Sequence, residues 1–343
     1  MSRQISGFGY AVGAAAAFSL SGSLGSGLMT TGWSAGAAVC ARILIGALLL
    51  APLAVVALRG KWRLVPGAAP RMILYGMLAV AGTQLAYFQA VRYLPVAVAL
   101  LVEFAAPVAV LLWLWVTGGQ RPSRLTTLGA VVAAAGLVIV LDLVSGVEVN
   151  MPGIAWSLAA MIGLAVYFVL SSDESHGLPP VAFATGGLVV GGLLLALAGA
   201  VGVLDIATST MSPVYAGREV PWWVALGLLG AVTGGLAYVL GIEGARRLGS
   251  RLASFVGLTE VLFVALVAWL LLGETPTIGN VVGGVLVVTG VVLVKLGEPE
   301  APRAEDTVEA AIVTPRTGVE PDVEPDEVSQ WPSASGEHGR EGL

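Results

Sequence analysis

Charge is what this 343-residue chain has least of: Asp, Glu, Lys and Arg make up 11% of it, less than half the roughly 25% usual in soluble domains. That scarcity excludes an ordinary water-soluble globule. Cys40 is the sole cysteine, so no disulfide can form within the chain. It stands two positions before Arg42 with no His nearby in sequence, and it reads as a small apolar residue rather than a nucleophile. The two histidines, His176 and His338, are too few for a His-rich metal site. No glycine-rich loop is followed by Lys-Ser/Thr, so the phosphate-cradling signature is missing. Nor is there a basic array interleaved with aromatics to hold nucleic acid. Neither a cofactor nor a metal is expected, and no nucleophile-base or metal cluster for an enzyme stands out.

Apolar residues are abundant, at 57% of the chain, and they fall into long runs. A bilayer core about 30 Å thick needs roughly 20 apolar residues of helix. Ten runs qualify, at 5–28, 35–58, 71–91, 95–117, 124–142, 153–171, 179–203, 221–240, 250–272 and 277–296. The chain therefore reads as an all-α integral membrane protein with ten transmembrane helices, and the lipid bilayer is its first partner. The first run is longer than a signal-peptide core and nine similar runs follow it, so it is expected to be an uncleaved span.

Lys and Arg orient the array. With the N-terminus inside, the inner segments hold Arg3, Arg59, Lys61, Arg63, Arg71, Arg121, Arg124, Arg246, Arg247, Arg251 and Lys295, and the outer loops hold only Arg92 and Arg218. The loop with Asp173, Glu174 and His176 is placed inside although it has no Lys or Arg. The expected location is the inner (plasma) membrane with both termini cytoplasmic. Trp33, Trp62, Trp156, Trp222 and Trp223 fall near span ends, where the amphipathic ring prefers the headgroups. The net charge of −5 comes from residues 298–343, which hold 12 acidic and 3 basic side chains. This Pro-, Glu- and Asp-rich tail cannot bury enough apolar surface to order itself and is expected to be a solvated extension.

The fourth and fifth runs match the ninth and tenth at an offset of 154 residues, pairing Trp115 with Trp269, Gly119 with Gly273, Pro122 with Pro276, Gly129 with Gly283 and Gly136 with Gly290. Two five-helix halves, 1–146 and 147–297, follow. An odd number of spans forces the halves into opposite orientations, an arrangement associated with alternating access to a site between them near the midplane.

Three ionisable side chains lie well inside the runs: Arg42, Glu103 and Glu260. A charge at a helix centre costs about 2.5 kcal/mol or more, so it faces protein or water. Small neighbours at helical spacing, such as Ala38 and Gly46 for Arg42, Ala99 and Ala106 for Glu103, and Ala253 and Gly257 for Glu260, leave room for a solvated cavity. Pro107 has no N–H, so the carbonyl of Glu103 loses its helical partner and the helix is expected to break there. The alternative is an Arg42 ion pair that only fixes packing. Ser19, Ser23 and Ser26 share one face of the first span. Thr83, Gln84 and Tyr87 share one face of the third, and Tyr167 and Ser171 lie in the sixth. All are candidates for hydrogen-bonding a substrate or for interhelical contacts. Gly187 with Gly191 and Gly279 with Gly283 fit close helix packing.

Ten short spans in two halves, with Gly119-Gln120-Arg121-Pro122 and Gly273-Glu274-Thr275-Pro276 before the last helix of each, resemble the drug/metabolite transporter superfamily in its EamA-type branch. Ala99 to Pro107 (ALLVEFAAP) and Ala41-Arg42 resemble the threonine/homoserine exporters within it. Gln120 stands where these repeats often have Glu, and Val261 where Pro is common. The resemblance implies a secondary transporter exporting small polar metabolites, amino acids or related compounds, by alternating access. Arg42, Glu103 and Glu260 would bind substrate or couple its movement to protons. An importer or a broad drug-efflux carrier of the same fold is the nearest alternative. A non-transporting scaffold, which would need no midplane charges, is the alternative from another class.

Overall fold

The computed structural model describes residues 2–94, 96–119, 121–140, 150–273, 275 and 277–297. The acidic tail lies outside the described residues, as do Gln120, Glu274 and Pro276 of the turn motifs. In lipid every backbone polar group must be satisfied within its own segment, which leaves helices as the only solution for these apolar runs. The chain folds accordingly into α1 (Ser2–Thr30), α2 (Ala35–Ala57), α3 (Val65–Leu74), α4 (Thr83–Ala90), α5 (Val96–Glu103), α6 (Ala106–Gly118), α7 (Arg124–Val140), α8 (Met151–Ser172), α9 (Pro180–Ala200), α10 (Trp222–Leu228), α11 (Ala237–Gly257), α12 (Glu260–Leu272) and α13 (Ile278–Gly297). Among the described residues, eight helical stretches are long and apolar enough to cross a membrane, and Arg124–Val140 and Glu260–Leu272 are shorter.

Two corrections to the sequence reading concern helix ends. The third span starts before residue 71, because helix runs continuously from Trp62 to Ala90. The loop expected between residues 240 and 250 is helical. The eighth and ninth spans meet at Gly249, whose φ of 79° and ψ of 160° break the helix at a single residue. A positive φ costs glycine nothing, which is why no polar linker is needed there.

The duplication is written into the backbone. A π-helical segment, Tyr75–Gly82, joins α3 to α4, and a second, Leu229–Leu236, joins α10 to α11, again 154 residues on. Span four breaks between α5 and α6, and span nine breaks between α11 and α12, at the same offset. Gly119 and Gly273 both end their helices in the left-handed conformation, at φ 62° and 76°. Pro107 accounts for the first break, yet Val261 stands at the matching position of the second. The break therefore belongs to the architecture and not to proline alone.

Contacts between the halves are reciprocal. Spans five and ten pack through glycines: a Cβ on Gly136 would lie 2.6 Å from the carbonyl oxygen of Gly283, and one on Gly283 would lie 2.6 Å from that of Gly136. Gly129 and Gly290 meet in the same way. The seam thus uses Gly283 with Gly290; Gly279 has no comparably close neighbour. Gly187 and Gly191 do pack closely, against the π-segment of span three, while Gly46 of α2 abuts Gly234 in the π-segment of span eight. Each half's second span therefore crosses onto the other half's π-segment.

The segment after α9 docks across the helix ends remote from the chain's N-terminus. It forms a two-stranded antiparallel ribbon, β1 (Val214–Tyr215) with β2 (Arg218–Glu219). The Tyr215 hydroxyl donates to the Leu24 carbonyl at 2.6 Å, and the amide of Ala216 donates to that of Leu271 at 2.7 Å, linking α1 to α12. On the opposite face the Lys295 ammonium lies over the Phe8 ring, 4.7 Å from its centroid, and so puts the start of α1 and the end of α13 together.

Candidate functional site

At mid-depth, where spans four and nine are broken, the halves enclose a cavity of about 310 Å³. Its wall comes from spans one, two, three and four of the first half and six, eight and nine of the second. Arg42, Glu103 and Glu260 all line it, as do Thr83, Gln84, Tyr87 and Tyr167. Span one contributes a stripe of small residues at helical spacing, Ala11, Ala14 and Ala15, followed by Phe18, Ser21 and Gly22.

Arg42 is 6% exposed. Its Nη1 donates to Ser21 Oγ at 2.5 Å, and its Nε has no hydrogen-bond partner among the described residues. None of the ion pairs among the described residues involves Arg42, Glu103 or Glu260, although all three groups lie within one another's electrostatic reach. An ion pair that merely clamps two helices is therefore not what these residues form. They are spread over one cavity wall with donors and acceptors still to be used, and both glutamates remain partly accessible.

The backbone explains why these groups sit there. Glu103 is the last residue of α5 and Glu260 the first of α12, so both carboxylates stand at helix breaks, where main-chain groups are also released. The positive ends of two half-helices, α6 and α12, start at this depth, as in transporters whose sites are built from discontinuous helices. Thr83 follows the π-segment, and its hydroxyl donates to the Leu78 carbonyl at 3.0 Å. It can accept from a guest but has no donor to spare.

Ser19 and Ser23 do not reach the cavity. They are 1% and 3% exposed, and the Ser19 hydroxyl donates to the Ala16 carbonyl at 2.7 Å. At 100° per residue, Ser21 points to the other side of α1 from both, and Ser21 is the serine that touches Arg42. Sequence reasoning missed Ser21, and it missed the ring shell of Phe18, Phe104, Phe168 and Tyr238. The small-residue stripe on span one was the available signal, because Ser21 and Phe18 lie on that face.

Towards the face that holds the chain's N-terminus, Ala11, Ala253, Phe104 and Phe168 of the cavity wall join a buried apolar cluster with Leu248, Leu252, Phe255 and Phe8. Below it lies a charged layer. Arg3 pairs with Glu174 at 2.8 Å, Arg71 with Asp173 at 2.8 Å, and Arg247 with Glu243. The guanidinium of Arg246 donates to the Leu178 carbonyl at 2.8 Å. His176 stacks on Phe183 at 4.6 Å, and its Nδ1 accepts from the Leu178 amide at 3.1 Å. Burial, with Arg246 next in importance, holds the His176 imidazole below its usual pKa. Burial alone would raise Asp173, but bonds from Ser175 and the charge of Arg71 bring its carboxyl below the ordinary value.

Comparison with known proteins adds three findings. The pattern of the EamA-like transporter family matches residues 5–142 and again 151–296. An uncharacterized transporter of Archaeoglobus fulgidus is 26% identical over 226 residues, covering 65% of this chain and 74% of its own. A protein known from a crystal structure shares the fold with a TM-score of 0.69 at 19% identity, over 87% of this chain and 100% of that one.

Proposed function

The chain belongs to the EamA-like transporter family, and from that premise we propose that it exports small amino-acid-like metabolites by alternating access, with proton coupling through Glu103 or Glu260. It is a multi-pass membrane transporter and not an enzyme. The observation that carries the proposal is the meeting of one guanidinium and two carboxylates on a cavity between inverted halves. A zwitterion satisfies both signs of charge at once, whereas a scaffold has no use for them. Ser21, Thr83, Gln84, Tyr87 and Tyr167 complete the binding surface.

The conformation supports access from the face remote from the N-terminus. The inner parts of spans four and nine, α6 and the last turns of α11, pack on each other above the apolar cluster, while α12 leans on α1 and α13. Together with the positive-inside rule, which puts Arg3 and its neighbours in the cytoplasm, the packing of α6 on α11 supports an outward-facing state in the inner membrane. Breaking the layer of Arg3, Glu174 and Arg71 with Asp173 opens the other path.

Comparative metabolite profiling of spent medium tests the reading. Cells overproducing the native protein should enrich the medium in particular amino-acid-like compounds, and Arg42→Gln at equal membrane abundance should not. Equal enrichment by both would remove Arg42 from the site. For coupling, Glu103→Gln and Glu260→Gln are assayed with and without a pH gradient. At least one should lose gradient dependence, and retention by both contradicts proton coupling through these residues.

A further inference from the structure

We propose that the transported amino acid carries an aromatic or comparably bulky apolar side chain, with its carboxylate on Arg42, its ammonium between Glu103 and Glu260, and its side chain against a shell of rings. The inference rests on the transport reading above and names the substrate class for the same cavity.

The carboxylate pole follows from how Arg42 is held. A guanidinium offers two edges, each of which can meet a carboxylate through parallel N–H bonds. Ser21 takes Nη1, which compromises one edge. The other, Nε with Nη2, is the side whose buried Nε has no partner among the described residues. A planar acceptor with two oxygens uses that edge, and a hydroxyl or a single carbonyl does not. The ammonium pole follows from the carboxylates, which come from opposite halves and reach the cavity at the two helix breaks. A three-donor ammonium can bridge them, which also ties the substrate to both moving parts.

The side-chain class follows from the remaining wall. Phe18, Tyr87, Phe104, Tyr167, Phe168 and Tyr238 supply six rings to about 310 Å³, and several brace one another edge to face. The ring centroids of Phe18 and Tyr238 are 5.1 Å apart, and those of Tyr167 and Phe168 are 5.0 Å apart. Such braced rings form rigid apolar walls and favour an offset or edge-on aromatic guest. The Tyr167 hydroxyl is accommodated only because Gly241 has no side chain there, so this ring's position is built in. A small hydroxylated side chain would leave most of this surface facing water.

The test uses the full chain, purified in nanodiscs of phosphatidylethanolamine and phosphatidylglycerol, with tritiated L-phenylalanine as probe. The competitors are unlabelled L-phenylalanine, L-threonine, phenethylamine, which lacks the carboxylate, and 3-phenylpropionate, which lacks the ammonium. L-Phenylalanine should bind and should compete at least about tenfold better than each of the other three: phenethylamine and 3-phenylpropionate each lose a charged hydrogen-bonded contact, and threonine loses the buried ring. Arg42→Gln should bind phenylalanine about tenfold or more weakly while phenethylamine, which does not use Arg42, binds no worse than to the native protein. Threonine competing as well as phenylalanine overturns the side-chain assignment and leaves amino-acid transport standing. Phenethylamine competing as well as phenylalanine in the native protein overturns the carboxylate pole and the amino-acid reading with it. Absence of phenylalanine binding overturns the proposal outright. The competition series needs no variant, so a misfolded Arg42→Gln would not blunt it.

Discussion

The two halves of this transporter share a scaffold and differ in chemistry. The π-segments, the broken spans, the left-handed glycines and the glycine seam recur 154 residues apart, because each meets a demand on the backbone that both halves face. The charges do not recur. Gly257 stands opposite Glu103 in the duplicated register, Ala106 opposite Glu260, and Val261 opposite Pro107. Backbone geometry is held in common, while the cavity is lined by a single cation and by one carboxylate from each half.

The seam is where symmetry should matter most. Gly136→Leu and Gly283→Leu each drive a side chain into the other helix's carbonyl, and overpacking of this kind costs about 1–3 kcal/mol. Both should lose folded protein to a similar extent, measured as monodisperse yield and thermal stability in detergent. A clear difference between them would break the reciprocity of the seam. Next in size, the chemistry should not survive transplantation. Glu103→Gly combined with Gly257→Glu moves a carboxylate to the symmetry-related place, and transport should stay at least about tenfold below the native rate, the scale of one lost charged hydrogen bond. Recovery to native rates would show that the cavity is functionally symmetric as well.

Proline sharpens the comparison at a smaller scale. Pro107→Ala returns an N–H to the chain, but the second half breaks without proline. The first break should therefore persist, with stability changed by no more than about 1 kcal/mol and transport reduced only several-fold. Abolished transport together with a raised melting temperature would mean that proline alone holds span four open. The smallest effect is expected at the charged layer, which has no ion-paired counterpart at the other end among the described residues. The His176 imidazole has a depressed folded-state pKa, so the folded protein binds fewer protons than the unfolded chain as pH falls below 6.5, and the loop's stabilisation is lost over that range. Asp173 adds a second loss only below 3.8. The protection factors of amides in residues 173–178, which are exchange rates taken relative to the intrinsic rate at each pH, should fall between pH 7 and 5.5 in the native protein and not in His176→Phe, while those of the ribbon at 214–219 should stay level.

Much of this was legible in the sequence. Apolar run length set the spans, and the Trp, Gly and Pro echoes set the duplication. The cost of a buried charge singled out Arg42, Glu103 and Glu260, which the structure brings to one cavity. Other features were hidden for physical reasons. Gly249 replaces a loop with one residue, which a search for polar linkers passes over. The break at residues 258–259 carries no proline. Ser19 and Ser23 share a face, but helix rotation turns that face away from the cavity, and only the packing partner of span one shows that the serine lining it is Ser21. A shell of rings gathered from five spans has no local pattern to betray it.

Alternating access requires that mid-depth positions meet water from one side at a time. In sealed vesicles of known sidedness, with Cys40 replaced by Ala, Gln84→Cys should react with a membrane-impermeant maleimide applied to the face remote from the chain's N-terminus. It should be slow from the opposite face, and excess substrate should protect it. Failure to react from either side would contradict the existence of a water-filled cavity between the halves.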